Sequence, residues 1–279
     1  MIGAIRAEWI KITRRPATWI LTLVMVSIVI GLSYLFFYLV LRFTPSGPTF
    51  PETLRGALKR LLYPRFFVQT VLNDFTGLGG TMILILGALS IGSEYGWGTL
   101  KTMLTQRPGR LSVMGAKLAV LFAVLLGYTV LLMAAGAASS TVLALLDGAD
   151  ISWPPLSDVA KAMAAGVLML SVWAGLGAAL AAVIRSNALP IGIGLVYMLV
   201  VEGIIGGTLA RVEVVRTIMK GLPGANANAL IQSFGTVAVP GTPPPNPIAG
   251  PTQAALVLAA YVVLFVVVTL AVVRVRDVT

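Results

Sequence analysis

From Ala17 to Leu41 the chain runs without a single charged side chain. At ~1.5 Å per helical residue, such a stretch crosses the ~30 Å hydrocarbon core of a bilayer with room for tilt. Backbone amides and carbonyls in hydrocarbon must be satisfied within the segment, so the run dictates a helix. Further apolar runs follow the first, and spans are expected at 17–42, 76–93, 118–146, 159–184, 188–209 and 253–273. The fold class expected is an all-α integral membrane protein, a single domain of six transmembrane helices. Only 11% of the residues are charged, where a soluble domain carries roughly 25%.

The polar segments fit around that frame. In residues 1–15, Ile2, Ile5, Trp9 and Ile12 share one helical face, with Lys11, Arg14 and Arg15 opposite, which predicts an interfacial helix lying on the bilayer. A secretory signal also begins basic and turns apolar, but 17–41 is too long for one and shows no clear cleavage site, so the segment is expected to stay as the first span. Phe43 to Phe75, with four prolines and Arg55, Lys59, Arg60 and Arg65, predicts one or two short amphipathic helices. Asp147, Asp150 and Asp158 form an acidic turn, and Arg185 to Asn187 a tight connection. In 210–252, Val212 to Phe234 reads as two short helices around a break marked by Gly221, Pro223, Gly224, Asn226 and Asn228, followed by a proline-rich loop. Its apolar residues, Val214, Val215, Ile218, Met219, Leu222, Leu230 and Ile231, are too many to leave wet, which favours a re-entrant pair over a surface loop.

The net charge of +10 is compatible with nucleic acid or with anionic lipid. Position favours lipid, because Arg6, Lys11, Arg14 and Arg15 precede the first span and Arg274 and Arg276 follow the last. No nucleic-acid partner is expected. Short-loop charge places both termini, the 94–117 loop and Arg185 on the cytoplasmic face.

Several chemistries are excluded by absence. The chain has no cysteine and no histidine, which removes thiol nucleophiles, Ser/His pairs and the usual transition-metal ligands. Ser139 and Ser140 lack a base and read as packing residues, so no catalytic, metal or cofactor residue is assigned. No GxxxxGK[ST] loop is present to cradle ATP phosphates. Gly175 with Ala179, and Gly203 with Gly207, have the small-xxx-small spacing and are read as helix packing. Glu202 is the ionisable residue deep in an expected span; it faces a transport path or a partner donor, or, near the helix end, reaches water.

Between the second and third spans, residues 94–117 place Trp97, Leu100, Met103 and Leu104 on one face of a short helix, with Lys101, Thr102, Thr105 and Gln106 opposite and Pro108 and Gly109 ending it. Here the chain resembles the permease subunits of ABC-2 type exporters: Glu94, Gly98, Thr99, Leu100, Lys101, Pro108, Arg110 and Lys117 match in order, and the six-span layout agrees along the whole chain. The resemblance implies that 94–117 carries a cytoplasmic coupling helix docked in a groove of a separate ATPase. Trp97, Leu100 and Leu104 would form its apolar knob, with Lys101, Arg107 and Arg110 pairing with carboxylates or lipid phosphates. It implies two ATPase copies holding ATP and magnesium, a second permease protomer identical or homologous to this one, and the cell (inner) membrane of a bacterium or archaeon. The expected function is a non-enzymatic permease half exporting a hydrophobic or amphipathic compound, such as a drug, peptide antibiotic or lipid-like molecule. The alternative is a secondary transporter or channel without an ATPase, which would ordinarily show paired intramembrane carboxylates or an internal repeat.

Overall fold

The computed structural model describes residues 2–47, 50–96, 109–205, 212–237 and 246–275, and every element named among them is a helix. Helix α1 covers Ile2–Arg14. Arg15 is extended and Pro16, whose missing N–H costs nothing in a first turn, opens α2, Pro16–Phe43. The stretch Ile28–Phe36 of α2 is π-wound. The excursion that follows holds α3, Glu52–Arg60, and then α4, Phe67–Thr76, which leads into α5, Leu78–Gly96. Helix α6 is Arg110–Asp147, ended by Gly148 in the left-handed conformation (φ 62°). Helix α7 is Leu156–Ile184, ended by Arg185 at φ 59°. Helix α8 is helical over Ala188–Val196 and π-wound over Tyr197–Ile205. Short helices α9, Glu213–Met219, and α10, Pro223–Gln232, precede the last, α11, Pro251–Val275.

Five of these helices are long and apolar enough to cross a membrane: Pro16–Phe43, Leu78–Tyr95, Leu111–Asp147, Leu156–Ile184 and Pro251–Arg274. Ala188–Ile204 is a shorter apolar helix where the fifth span is expected. Burial ranks them. Of the apolar windows, 72% of α5 and 61% of α7 lie inside the protein, against 22% of α2 and 17% of α11. The α5–α7 pair is therefore the spine, and α2 and α11 form a rim whose Leu23, Leu256 and Val263 face outward as lipid-exposed side chains do.

Glycine makes the spine possible. A Cβ at Gly87 would run into the backbone of Ala174, and one at Gly177 into the carbonyl of Leu84, so the two helices touch backbone to backbone. Gly175 instead meets Phe265 of α11, an intramolecular contact in keeping with its small-residue spacing. Trp173, Phe75, Leu72 and Leu84 fill the space beside the spine and are wholly or almost wholly buried.

Three places add to the sequence-based expectation. The second span, expected at 76–93, is Leu78–Tyr95, and the excursion before it holds two short helices, α3 and α4, as expected; what the sequence did not show is that Phe67, Val68, Val71, Leu72 and Phe75 of α4 are buried against the bundle. Helices α4 and α5 break at Gly77 (φ −95°, ψ −121°), and a Cβ on Gly79 would lie 2.6 Å from the Asp74 carbonyl, so the glycine cluster permits a kink that other residues would block. In α1 the buried residues are Glu8 and Ile12, while Ile2 and Trp9 are exposed, because the helix turns its charged flank to the bundle and its Trp9 flank to the surroundings. In the outer pair, α10 is nearly all buried, but Val214 and Ile218 of α9 stay 70% and 62% exposed. The turn between them is tied by buried Asn226, whose amide donates to the carbonyls of Lys220 and Leu222, and by the Tyr261 hydroxyl, which donates to Gly221 O. That turn holds α10 against α11 and leaves α9 outside.

Both described ends lie at one end of the bundle: Val273 packs with Ala88, Ile91 and Met114, beside the point where α1 meets α6.

Candidate functional site

At the end of the bundle that carries the termini, five charged side chains converge. Glu94 closes α5, Lys117 lies just inside α6, and Glu8, Lys11 and Arg15 come from α1 and its exit. Lys117 Nζ sits 2.6 Å from Glu8 Oε2 and 3.0 Å from Glu94 Oε1. Lys11 Nζ bridges the same two carboxylates at 3.0 and 3.3 Å. Arg15 approaches Glu94 at 3.9 Å and donates to the Leu89 carbonyl at 3.2 Å. Glu94, Lys117 and Glu8 are 1%, 4% and 6% exposed. Charges so placed lose hydration and persist only when each finds a partner. The cluster therefore clamps three segments together: α1, the end of α5 and the start of α6.

That clamp stands at the two ends of residues 97–108. Of the residues expected to couple to an ATPase, Glu94 and Lys117 are brought together in it. Arg110 opens α6. Trp97, Gly98, Thr99, Leu100, Lys101, Leu104, Arg107 and Pro108 lie outside the described residues. Lys117 is buried and doubly paired. Glu8 escaped the sequence reading. Its one signal is an acid three residues before Lys11, in a chain with only 10 acids.

At the far end, Asp147 gathers Lys59 Nζ at 2.9 Å and the hydroxyls of Tyr38 and Tyr63, each at 3.0 Å. Burial first, and then Asp147, push the Tyr63 phenol up to about 12, so it remains a hydrogen-bond donor at working pH. This knot fastens the 43–75 excursion to the end of α6.

Between the two ends lies a cavity of about 260 Å³, bordered by the Gly77 break, Trp173, Met198, Glu202, Met219 and Asn228. Glu202 comes from the π-wound part of α8 and does not reach out into open water. Its carboxylate rests against Gly224, where no side chain would fit. Neither oxygen has a hydrogen bond of full geometry; the nearest donors are the backbone amides of Gly224 and Ala225, in the first turn of α10, and the Tyr197 hydroxyl. A second acid, Asp74 of α4, accepts a 2.7 Å hydrogen bond from Ser33 in the π-wound part of α2. Only the folding of α4 against α2 could reveal it.

A bundle of apolar helices with a lipid-facing rim, a charged clamp at one end and a cavity bordered by one carboxylate defines a multi-pass membrane protein. The family model described as ABC-2 family transporter protein matches residues 4–201, and the chain belongs to that family. It is accordingly a permease component of an ABC transporter, a membrane subunit that partners an ABC ATPase. No curated protein matches the chain.

Proposed function

We propose that this permease exports an amphipathic compound across a bacterial or archaeal cell membrane, driven by two ATPase subunits that act on residues 97–108 from the cytoplasm. ATP and magnesium would be held by those subunits. A second permease protomer would complete the path, and both termini would be cytoplasmic.

The carrying observation is the clamp of Glu8, Lys11, Arg15, Glu94 and Lys117. A segment that receives force is effective only if its ends cannot slide. Here both flanks of 97–108 are pinned to each other, through Glu94 and Lys117, and to α1. From Glu94 in the clamp, α5 extends ~25 Å to the Gly77 break at the cavity. A push delivered at 97–108 would tilt α5 as a rigid rod, and the break would let its cavity end move relative to α4. The apolar knob Trp97, Leu100 and Leu104 and the basic Lys101, Arg107 and Arg110 suit an ATPase groove with an acidic rim.

The test is reconstitution with the partner ATPase. Leu100→Asp and Leu104→Asp are expected to leave the permease in the membrane while cargo no longer stimulates ATP hydrolysis and transport falls at least tenfold. Undiminished coupled transport in both variants, or transport powered by an ion gradient without the ATPase, overturns the proposal.

A further inference from the structure

The Glu202 cavity has a chemical preference of its own. At about 260 Å³ it falls below the ~300–1,000 Å³ typical of drug-sized ligands, so it suits a headgroup and not a whole amphipathic molecule. Among its described lining residues Glu202 is the one ionisable side chain, and no lysine or arginine borders it. Both Glu202 oxygens are buried without a well-formed hydrogen bond. The cavity is bordered by helix ends of opposite polarity, Thr76 and Gly77 at the C-terminal end of α4 and Gly224 and Ala225 in the first turn of α10, so Glu202 carries its net preference for charge. Trp173, Met198 and Met219 supply aromatic and polarisable surface, which favours a weakly hydrated cation over a strongly hydrated one.

We propose that this cavity is the headgroup site for the ammonium, or an equivalent single positive charge, of an amphipathic cargo, with Glu202 as its counter-ion. The amides of Gly224 and Ala225 and the Tyr197 hydroxyl lie beside the carboxylate, which borders the cavity with both oxygens screened from it, so an entering cation would draw the carboxylate toward itself. A buried carboxylate at the border of a cavity discriminates by charge, because an uncharged headgroup leaves it without a counter-ion and an anion is repelled. The apolar remainder of the cargo would lie outside the cavity, along lipid-exposed helix. The word cargo rests on the permease function; the binding of a cation does not.

The experiment uses the full-length protein in phosphatidylcholine nanodiscs, without ATPase or nucleotide. Calorimetry, with empty nanodiscs as the blank, compares benzyltrimethylammonium with uncharged N-benzylacetamide. Wild type is expected to favour the cation at least tenfold. Glu202→Gln, which keeps the shape and removes the charge, is expected to weaken cation binding at least tenfold and change N-benzylacetamide binding less than twofold. A readout needing no variant is modification of Glu202 by dicyclohexylcarbodiimide, followed by mass spectrometry; benzyltrimethylammonium should protect and N-benzylacetamide should not. Equal affinities in wild type, a cation preference that survives Glu202→Gln, or absence of selective protection each overturns the proposal. Selective binding in a protein that proves uncoupled from any ATPase would leave this site standing and remove the proposed function. Coupled export with no cation preference would do the reverse.

Discussion

Glu94→Gln isolates the energetic role of the clamp, since the amide is isosteric and opens no cavity. Two carboxylates, Glu8 and Glu94, stand among three cations, Lys11, Arg15 and Lys117; the variant leaves one carboxylate among three. Removing one partner of a buried pair costs ~3–5 kcal/mol. The Lys11 and Arg15 side chains are 38% and 18% exposed and can turn back toward water. Lys117, 4% exposed, cannot, and it retains only Glu8. The expected loss is therefore at the low end, about 3 kcal/mol, or roughly 150-fold in the folding equilibrium at ~1.4 kcal/mol per tenfold. The assay is reversible unfolding by dodecyl sulfate in mixed micelles, closed into a cycle with Lys117→Met. That second variant leaves two carboxylates facing two cations and should cost less. The double variant should cost at least ~1 kcal/mol less than the sum, within the ~0.5–3 kcal/mol range of directly coupled groups. Stability within ~0.5 kcal/mol of wild type for Glu94→Gln, together with additive costs, would refute the clamp as an energetic unit.

Three further outcomes follow from the packing and the far-end knot. Gly87→Ala and Gly177→Ala place a methyl group on facing backbone and should each lose ~1–3 kcal/mol of stability, whereas Gly115→Ala and Gly127→Ala, which meet open space, should stay within ~0.5 kcal/mol in the same micelle assay. Asp147→Asn should release α3 from α6; because the chain has no native cysteine, a single Ala57→Cys on the buried face of α3 reports this as thiol labelling at least fivefold faster in the Asp147→Asn background, and unchanged labelling would count against the knot. Gly224→Ala should displace the Glu202 carboxylate and lower the melting temperature of the protein in nanodiscs, while Gly250→Ala, with nothing near its Cβ, should not.

Most of the architecture was legible because the bilayer is a severe solvent. Runs such as Ala17 to Leu41 and Val159 to Ile184 have few alternatives to a helix, and the helices Pro16–Phe43 and Leu156–Ile184 stand where those runs stand. The burial of α4 was harder to read, since it mixes Gln69, Asn73 and Asp74 with its apolar residues and its place is fixed only by Ser33 and the core. For α9 an apolar count says that residues avoid water, but does not say whether the cover comes from this chain, and Val214 and Ile218 take none from it.

The sequence alone determined the class of molecule, the solvent it needs and the segment that carries family likeness, because hydropathy and local motifs are written in consecutive residues. Only the tertiary structure decided that Glu8, Glu94 and Lys117 form one buried clamp, and that Glu202 lies beside both the Gly77 break and the first turn of α10. The physical reason is that a charge announces its cost locally but finds its partner across the fold: Lys117 and Glu8 are 109 positions apart in the chain and 2.6 Å apart in space.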